Sequence, residues 1–139
     1  MSFYILDTDH VTLFQRGHSL VRQQVTAVSP SQLAVTIISF EEQIRGRLAQ
    51  VHRAKTDSQQ IIAYLRLRET LTYYSQIRVL DFDEKAIQQF QQLRQQKIRV
   101  GTQDLRIASI ALVKDGTLIT RNQRDFSQIP SLKWQDWSA

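Results

Sequence analysis

Residues 3–12, FYILDTDHVT, set a short apolar run directly against two aspartates, in a chain that has only 13 acidic residues beside 18 basic ones. Phe3 to Leu6 reads as a buried strand, being a brief β-favouring run with no helical spacing. Leu33 to Ile38, LAVTII, has the same character and also runs into acids, Glu41 and Glu42. Between the two, residues 11–28 predict a helix that closes at Ser29-Pro30, where proline disfavours helix in the residue before it. A helical crossover between two strands implies a parallel pair, so this opening decides for an α/β fold.

The remainder continues the alternation. Ser39 is expected to cap a helix carrying Phe40, Ile44, Leu48 and Val51 on one face, and residues 59–75 predict a second helix that pairs with it as a hairpin. Ile77 to Phe82 reads as the third strand. Asp83 is the expected cap of a helix bearing Ala86, Phe90 and Leu93, whose glutamine-rich outer face is solvated surface. A further helix, Thr102 to Lys114, stops at Asp115-Gly116; Thr117 to Thr120 is the fourth strand, and LKWQDW near the end supplies a fifth at the edge. The expectation is a three-layer α/β/α domain with a mostly parallel four- or five-stranded sheet. With 139 residues and neither repeat nor linker, one domain spanning 1–139 is expected.

Composition narrows the chemistry. Hydrophobic residues make up 42% and charged residues 22%, an ordinary globular balance. No apolar run is long enough to span a bilayer and no export signal opens the chain, so a soluble cytoplasmic protein with no membrane partner is expected. The absence of cysteine removes disulfides, thiolate nucleophiles and sulfur-based metal sites, leaving oxygen as the main ligand for any metal. A net charge of +5 and a pI near 9.9 favour a polyanionic partner.

In a parallel α/β sheet the loops beyond the carboxyl ends of the strands converge on the crevice where strand order reverses. Asp7 and Asp9 follow the first strand, Glu41 and Glu42 the second, and Asn122 and Asp125 the fourth. The helix leading into the fourth strand begins at the same edge. It carries Asp104 on one face with Ala108 and Ala111, small residues that let it sit close to the sheet. Carboxylates delivered from four segments repel one another, and a divalent cation such as magnesium or manganese removes the conflict. Beside a basic surface that holds phosphates, the natural reaction is metal-assisted phosphodiester hydrolysis.

YILDTDHVT, TIISFEEQIRG, GTQDLRIASIAL and LITRNQRDFSQI, in this order and at these intervals, resemble the PIN-domain ribonucleases, specifically the VapC-type toxins of bacterial toxin–antitoxin pairs. The resemblance covers nearly the whole chain. It implies that Asp7, Glu42, Asp104 and Asp125 form the catalytic set, with Asp7 and Asp104 as metal ligands and Asn122 beside them. Glu42 stands four residues before Gly46, as the family spacing requires, and Glu41 does not. The resemblance further implies Mg2+ or Mn2+, RNA as substrate, a cognate antitoxin protein and homodimerisation. Asp9 departs from the pattern: it either adds a metal ligand or caps the next helix. Arg45, Arg47, Arg106, Arg121 and Arg124 are the candidates for phosphate contact.

Each acid also has a structural role available to it. Asp7 and Asp9 suit helix caps, Ser39-Phe40-Glu41-Glu42 reads as a capping box, Asp104 suits a first helical turn, and Asp125 suits a cap of the turn that follows it. His10, His18 and His52 show no metal-ligand spacing, which points to solvent or helix-end roles, and Trp134 and Trp137 to closure of the core. Two other functions compete. YILDTDHV is also how haloacid-dehalogenase-like phosphatases begin, with Asp7 then the nucleophile, although the later lysine of that family is missing after the fourth strand. A non-catalytic, basic RNA- or protein-binding module is the other.

Overall fold

The computed structural model describes residues 3–139. In chain order the elements are β1 (Tyr4–Leu6), α1 (Thr8–Gln15), α2 (Ser19–Ala27), β2 (Leu33–Thr36), α3 (Ile37–Arg53), α4 (Asp57–Ser75), β3 (Arg78–Leu80), α5 (Glu84–Gln95), α6 (Thr102–Val113), β4 (Thr117–Ile119), α7 (Gln123–Phe126) and β5 (Lys133–Gln135), with a 3-10 turn at Pro30–Gln32 before β2. All five strands are parallel, in the order β3-β2-β1-β4-β5.

Alternation along the strands divides the core into two layers. Ile5, Ala34 and Leu118 point to one face and pack with Phe90 and Leu93 of α5 and with Ile107 and Ile110 of α6. Leu6, Val35 and Ile119 point to the other and pack with Val11 of α1 and Tyr74 of α4, closed by Trp137. A sheet covered by helices on both faces is the three-layer α/β/α arrangement. Trp134 lies against the first layer, so the two tryptophans close the two sides. Gly116 marks close packing where α6 returns to β4: a Cβ there would lie 2.9 Å from Ile5 Cδ1 and would force that side chain to shift.

Local boundaries differ from the sequence expectation: β3 is shorter, Arg78–Leu80, α4 opens at Asp57, and two further differences have a clear local cause. Residues 11–28 form two helices: Gly17 adopts φ +84°, a conformation a right-handed helix cannot continue through. The second strand ends at Thr36, because Thr36 itself caps α3 and its Oγ1 accepts from Ser39 N at 3.2 Å. Ile37 and Ile38 then enter the first helical turn; a β-branched run reads as strand until a capping hydroxyl claims it. Asp83 caps α5 as expected, and β5 pairs with β4 at the edge.

A candidate metal centre at the carboxyl edge of the sheet

The chain builds β1, β2 and β3 outward in one direction and then places β4 and β5 on the opposite side of β1. The loops after β1 and β4 therefore diverge, opening a crevice at the switch point. Asp7 follows β1 there and Arg121 and Asn122 follow β4. A pocket of about 380 Å³ is lined by Asp7, Thr8 and Asp9 from this first connection, by Glu42, by Asp104, and by Arg121 and Asn122.

Asp7 is the N-cap of α1: Oδ1 accepts from His10 N at 2.8 Å. Capping and pocket lining are thus compatible in one side chain, since the cap uses one oxygen. Asp9 caps nothing. It forms a two-point ion pair with Arg121, at 2.7 and 3.0 Å, across the mouth of the crevice.

Glu42 is held by a chain of hydroxyls. Thr8 Oγ1 donates to Glu42 Oε1 at 2.6 Å; having given its only proton, it accepts from Ser39 Oγ at 2.9 Å. The capping box expected for Ser39 and Glu42 does not form, because Thr36 caps the helix and Glu42 lies beyond its first turn. Glu41 turns away, accepting from Arg45 Nη2 and Gln103 Nε2, both at 2.9 Å.

Asp104 sits in the first turn of α6, whose following residues Leu105, Ile107 and Ala108 are buried. Burial, reinforced by the charges of Glu42, Asp7 and Asp125, pushes its carboxyl up to about 6, and the Asn122 side chain partly offsets this. Asn122 Nδ2 also donates to Asp125 Oδ2 at 2.9 Å. Asp125 lies inside α7 rather than capping the turn after it. One carboxyl thus registers the charges of three others carried by separate elements.

Residues 4–132 match the family model described as the PIN domain. The chain belongs to the PIN-domain family. Ribonuclease VapC1 of Haemophilus influenzae strain R2866 is 28% identical over 137 residues, covering 97% of this chain and 98% of the relative. Among solved structures, VapBC-1 from nontypeable Haemophilus influenzae is 25% identical with a TM-score of 0.78, covering 99% of each chain. DNA-bound VapBC from Salmonella typhimurium is 24% identical with a TM-score of 0.80, again over 99% of each chain. Family membership leaves the phosphatase reading of YILDTDHV without support.

In this PIN domain the donor set fits a hard divalent cation: carboxylate oxygens line one pocket, no cysteine sulfur competes, and burial together with the neighbouring negative charge disfavours ionisation of Asp104. Ligand atoms of Asp7, Asp9 and His10 lie within 4.8 Å of one another. His10 is nevertheless a poor ligand. Its ring is fully buried, Nδ1 faces Asp7 Oδ1 at 3.2 Å, and Nε2 accepts from Trp137 N at 3.3 Å, so neither nitrogen is open to the pocket. The solvent or helix-end role expected for His10 is corrected by this burial. His18 does cap α2, and His52 is exposed in the last turn of α3.

The arginines separate. Arg121 lines the pocket but is engaged by Asp9. Arg45 pairs with Glu41, Arg106 lies over the Phe90 ring and donates to Gln103, and Arg124 is exposed on α7. Arg47 faces a larger groove of about 910 Å³ between α1, α3 and α4, where Arg16, Arg53 and Arg66 join it. That groove shares Thr8 and Glu42 with the acidic pocket, so the two are neighbours. Arg16, Arg53 and the positioning hydroxyl of Thr8 were not singled out by sequence reasoning, which reads Ser39 only as a helix cap. The only local signal was the threonine between the two aspartates.

Proposed function

We propose that this chain is a Mg2+- or Mn2+-dependent endoribonuclease, the toxin of a cytoplasmic toxin–antitoxin pair. The observation that carries the proposal is the gathering of Asp7, Glu42 and Asp104 on one pocket, with Asp125 near enough that its charge, like those of Glu42 and Asp7, adds to burial in pushing the Asp104 carboxyl up to about 6. Family membership and the likeness to ribonuclease VapC1 support it. Asp7 and Asp104 would hold the cation, with Glu42 and Asp125 completing the acidic shell. When bound, the cation would orient and acidify a water and offset charge developing on the phosphate. Thr8 fixes Glu42 through Oε1, leaving Oε2 for the pocket. Asn122 orients Asp125, and the arginines around the crevice, with those of the adjoining groove, would hold RNA phosphates. The antitoxin partner is proposed from structural neighbours that include a toxin–antitoxin complex from Klebsiella pneumoniae and a member of the VapBC family of toxin–antitoxin systems, and homodimerisation from the family resemblance.

Adjacent glutamates test the proposal. Glu42→Gln is expected to lower cleavage of a fluorescent RNA by about ten- to a hundredfold, the range for loss of a group that completes the shell of a metal site. Glu41→Gln makes the same charge change outside the pocket and should leave the rate within about twofold, the range of a surface substitution. Equal effects in the two variants would remove Glu42 from the site.

A further inference from the structure

One fully buried polar group near the pocket, His10, is not used by the proposed chemistry. His10 has no exposed surface, and a buried imidazole is costly unless both nitrogens are paired. Nδ1 lies 3.2 Å from Asp7 Oδ1. Nε2 meets the Trp137 backbone N–H at 3.3 Å, with Asp136 Oδ1 at 3.5 Å on the same side. Asp136 Oδ1 is itself taken up by Ser138 N and Oγ, at 2.8 and 2.6 Å.

A carboxylate oxygen only accepts, so the His10 nitrogen that faces Asp7 must carry hydrogen. This holds in the neutral ring, where the Nε2 lone pair accepts from Trp137, and in the imidazolium, where Nε2–H faces Asp136. Asp7 Oδ1 therefore receives two hydrogen bonds from one residue, from the His10 backbone N–H and from its ring. The backbone bond alone suffices to cap α1. The ring bond adds nothing to the helix that the cap lacks, but it blocks rotation of the carboxylate. No described residue hydrogen-bonds Asp7 Oδ2.

We propose that His10 is a positioning residue for the metal centre: braced by the Trp137 backbone N–H, its ring ties down Asp7 Oδ1 and presents Oδ2 to the cation. The inference rests on the proposed metal-dependent function. Histidine ligands are commonly oriented by a carboxylate behind them; here the roles are exchanged, with histidine behind a ligating carboxylate. The C-terminal segment is thereby part of the site, although it supplies no ligand.

The test is Mn2+ affinity, measured on the whole purified protein without RNA by the loss of the free-ion electron paramagnetic resonance signal. His10→Leu fills the space without a donor and is expected to weaken Mn2+ binding about tenfold or more, the range for loss of an outer partner of a metal ligand. His10→Asn places an amide N–H near the Nδ1 position and is expected to recover affinity to within about threefold of the parent. A folded His10→Leu protein with parental affinity, or a folded His10→Asn protein as weak as His10→Leu, overturns the inference while leaving the metal reading intact. A parent that binds no Mn2+ overturns both. Nitrogen-15 NMR of histidine-labelled parent protein covers the case in which the variants do not fold: hydrogen on Nδ1 of His10 supports the arrangement, and an unprotonated Nδ1 overturns it.

Discussion

Helix α6 buries Leu105, Ile107, Ala108, Ser109, Ile110 and Ala111, almost its whole circumference, whereas the longer α4 buries only Ala63, Thr70 and Tyr74 and leaves Ile61, Ile62, Tyr64, Leu65 and Leu71 in solvent. Both helices are rich in apolar residues, yet only α6 is gripped from all sides. That grip has a consequence for chemistry. Asp104 stands at the start of α6 and cannot withdraw from the other carboxylates without moving a helix packed under α5 and over the sheet. Burial, and after it the charge conflict, therefore shows at Asp104 as a raised carboxyl. An acid on α4 would escape it by turning into water.

The contrast can be broken most sharply by truncation. Ile110→Ala is expected to cost about 2–5 kcal/mol in denaturant unfolding, since it removes a fully buried side chain and leaves a cavity. Leu65→Ala on α4 should stay within about 0.5 kcal/mol of the parent. A large cost at Leu65 would mean that the exposed face of α4 is covered in solution.

Asp104→Asn sharpens it next, by separating activity from stability. Cleavage should fall by about a hundredfold or more. Metal-free at pH 8, the variant should melt higher than the parent, because an ionised carboxylate held among like charges has been replaced by a neutral isostere. Lower melting would show that the charge is balanced by something other than a metal.

The pH dependence follows with its sign. The Asp104 carboxyl, ordinarily near 3.8, is raised to about 6, so between those values the folded protein holds a proton that the unfolded chain has lost. Stability from this group is full below about pH 4 and declines as pH rises toward 6. Calorimetry of the metal-free parent against Asp104→Asn should show the difference developing across that window. Mn2+ should reverse it, because the cation binds the carboxylate form.

The smallest effect concerns α4 alone. The Tyr74 hydroxyl is buried without a hydrogen-bond partner among the described residues, and its ring meets Phe40 edge-on at 5.0 Å. Tyr74→Phe keeps the ring and removes the stranded hydroxyl, so it should be neutral or stabilising by up to about 1 kcal/mol in thermal unfolding.

Much of the fold was legible in the sequence because its signals are local. Short apolar runs next to helical spacing, a proline after residue 29, Asp83 before Ala86 and Phe90, and Asp115-Gly116 after a buried helix each act within a few residues, by backbone sterics or capping. The segments holding the acids followed from the same rules, since parallel strands joined by helices bring their carboxyl ends to one edge. What the local signals missed were cases where two of them competed, as when Thr36 rather than Ser39 capped α3.

Which partner each site residue keeps was decided only by the tertiary structure. Asp9 and Arg121 are 112 residues apart, and His10 and Trp137 are 127 apart. No spacing rule links such pairs. They meet because strand order places β4 beside β1 and β5 beyond it, carrying the C-terminal segment over the first turn of α1. The composition determined that an acidic site would need a cation or protons; the sheet determined which acid would be trapped by burial and which would find an arginine.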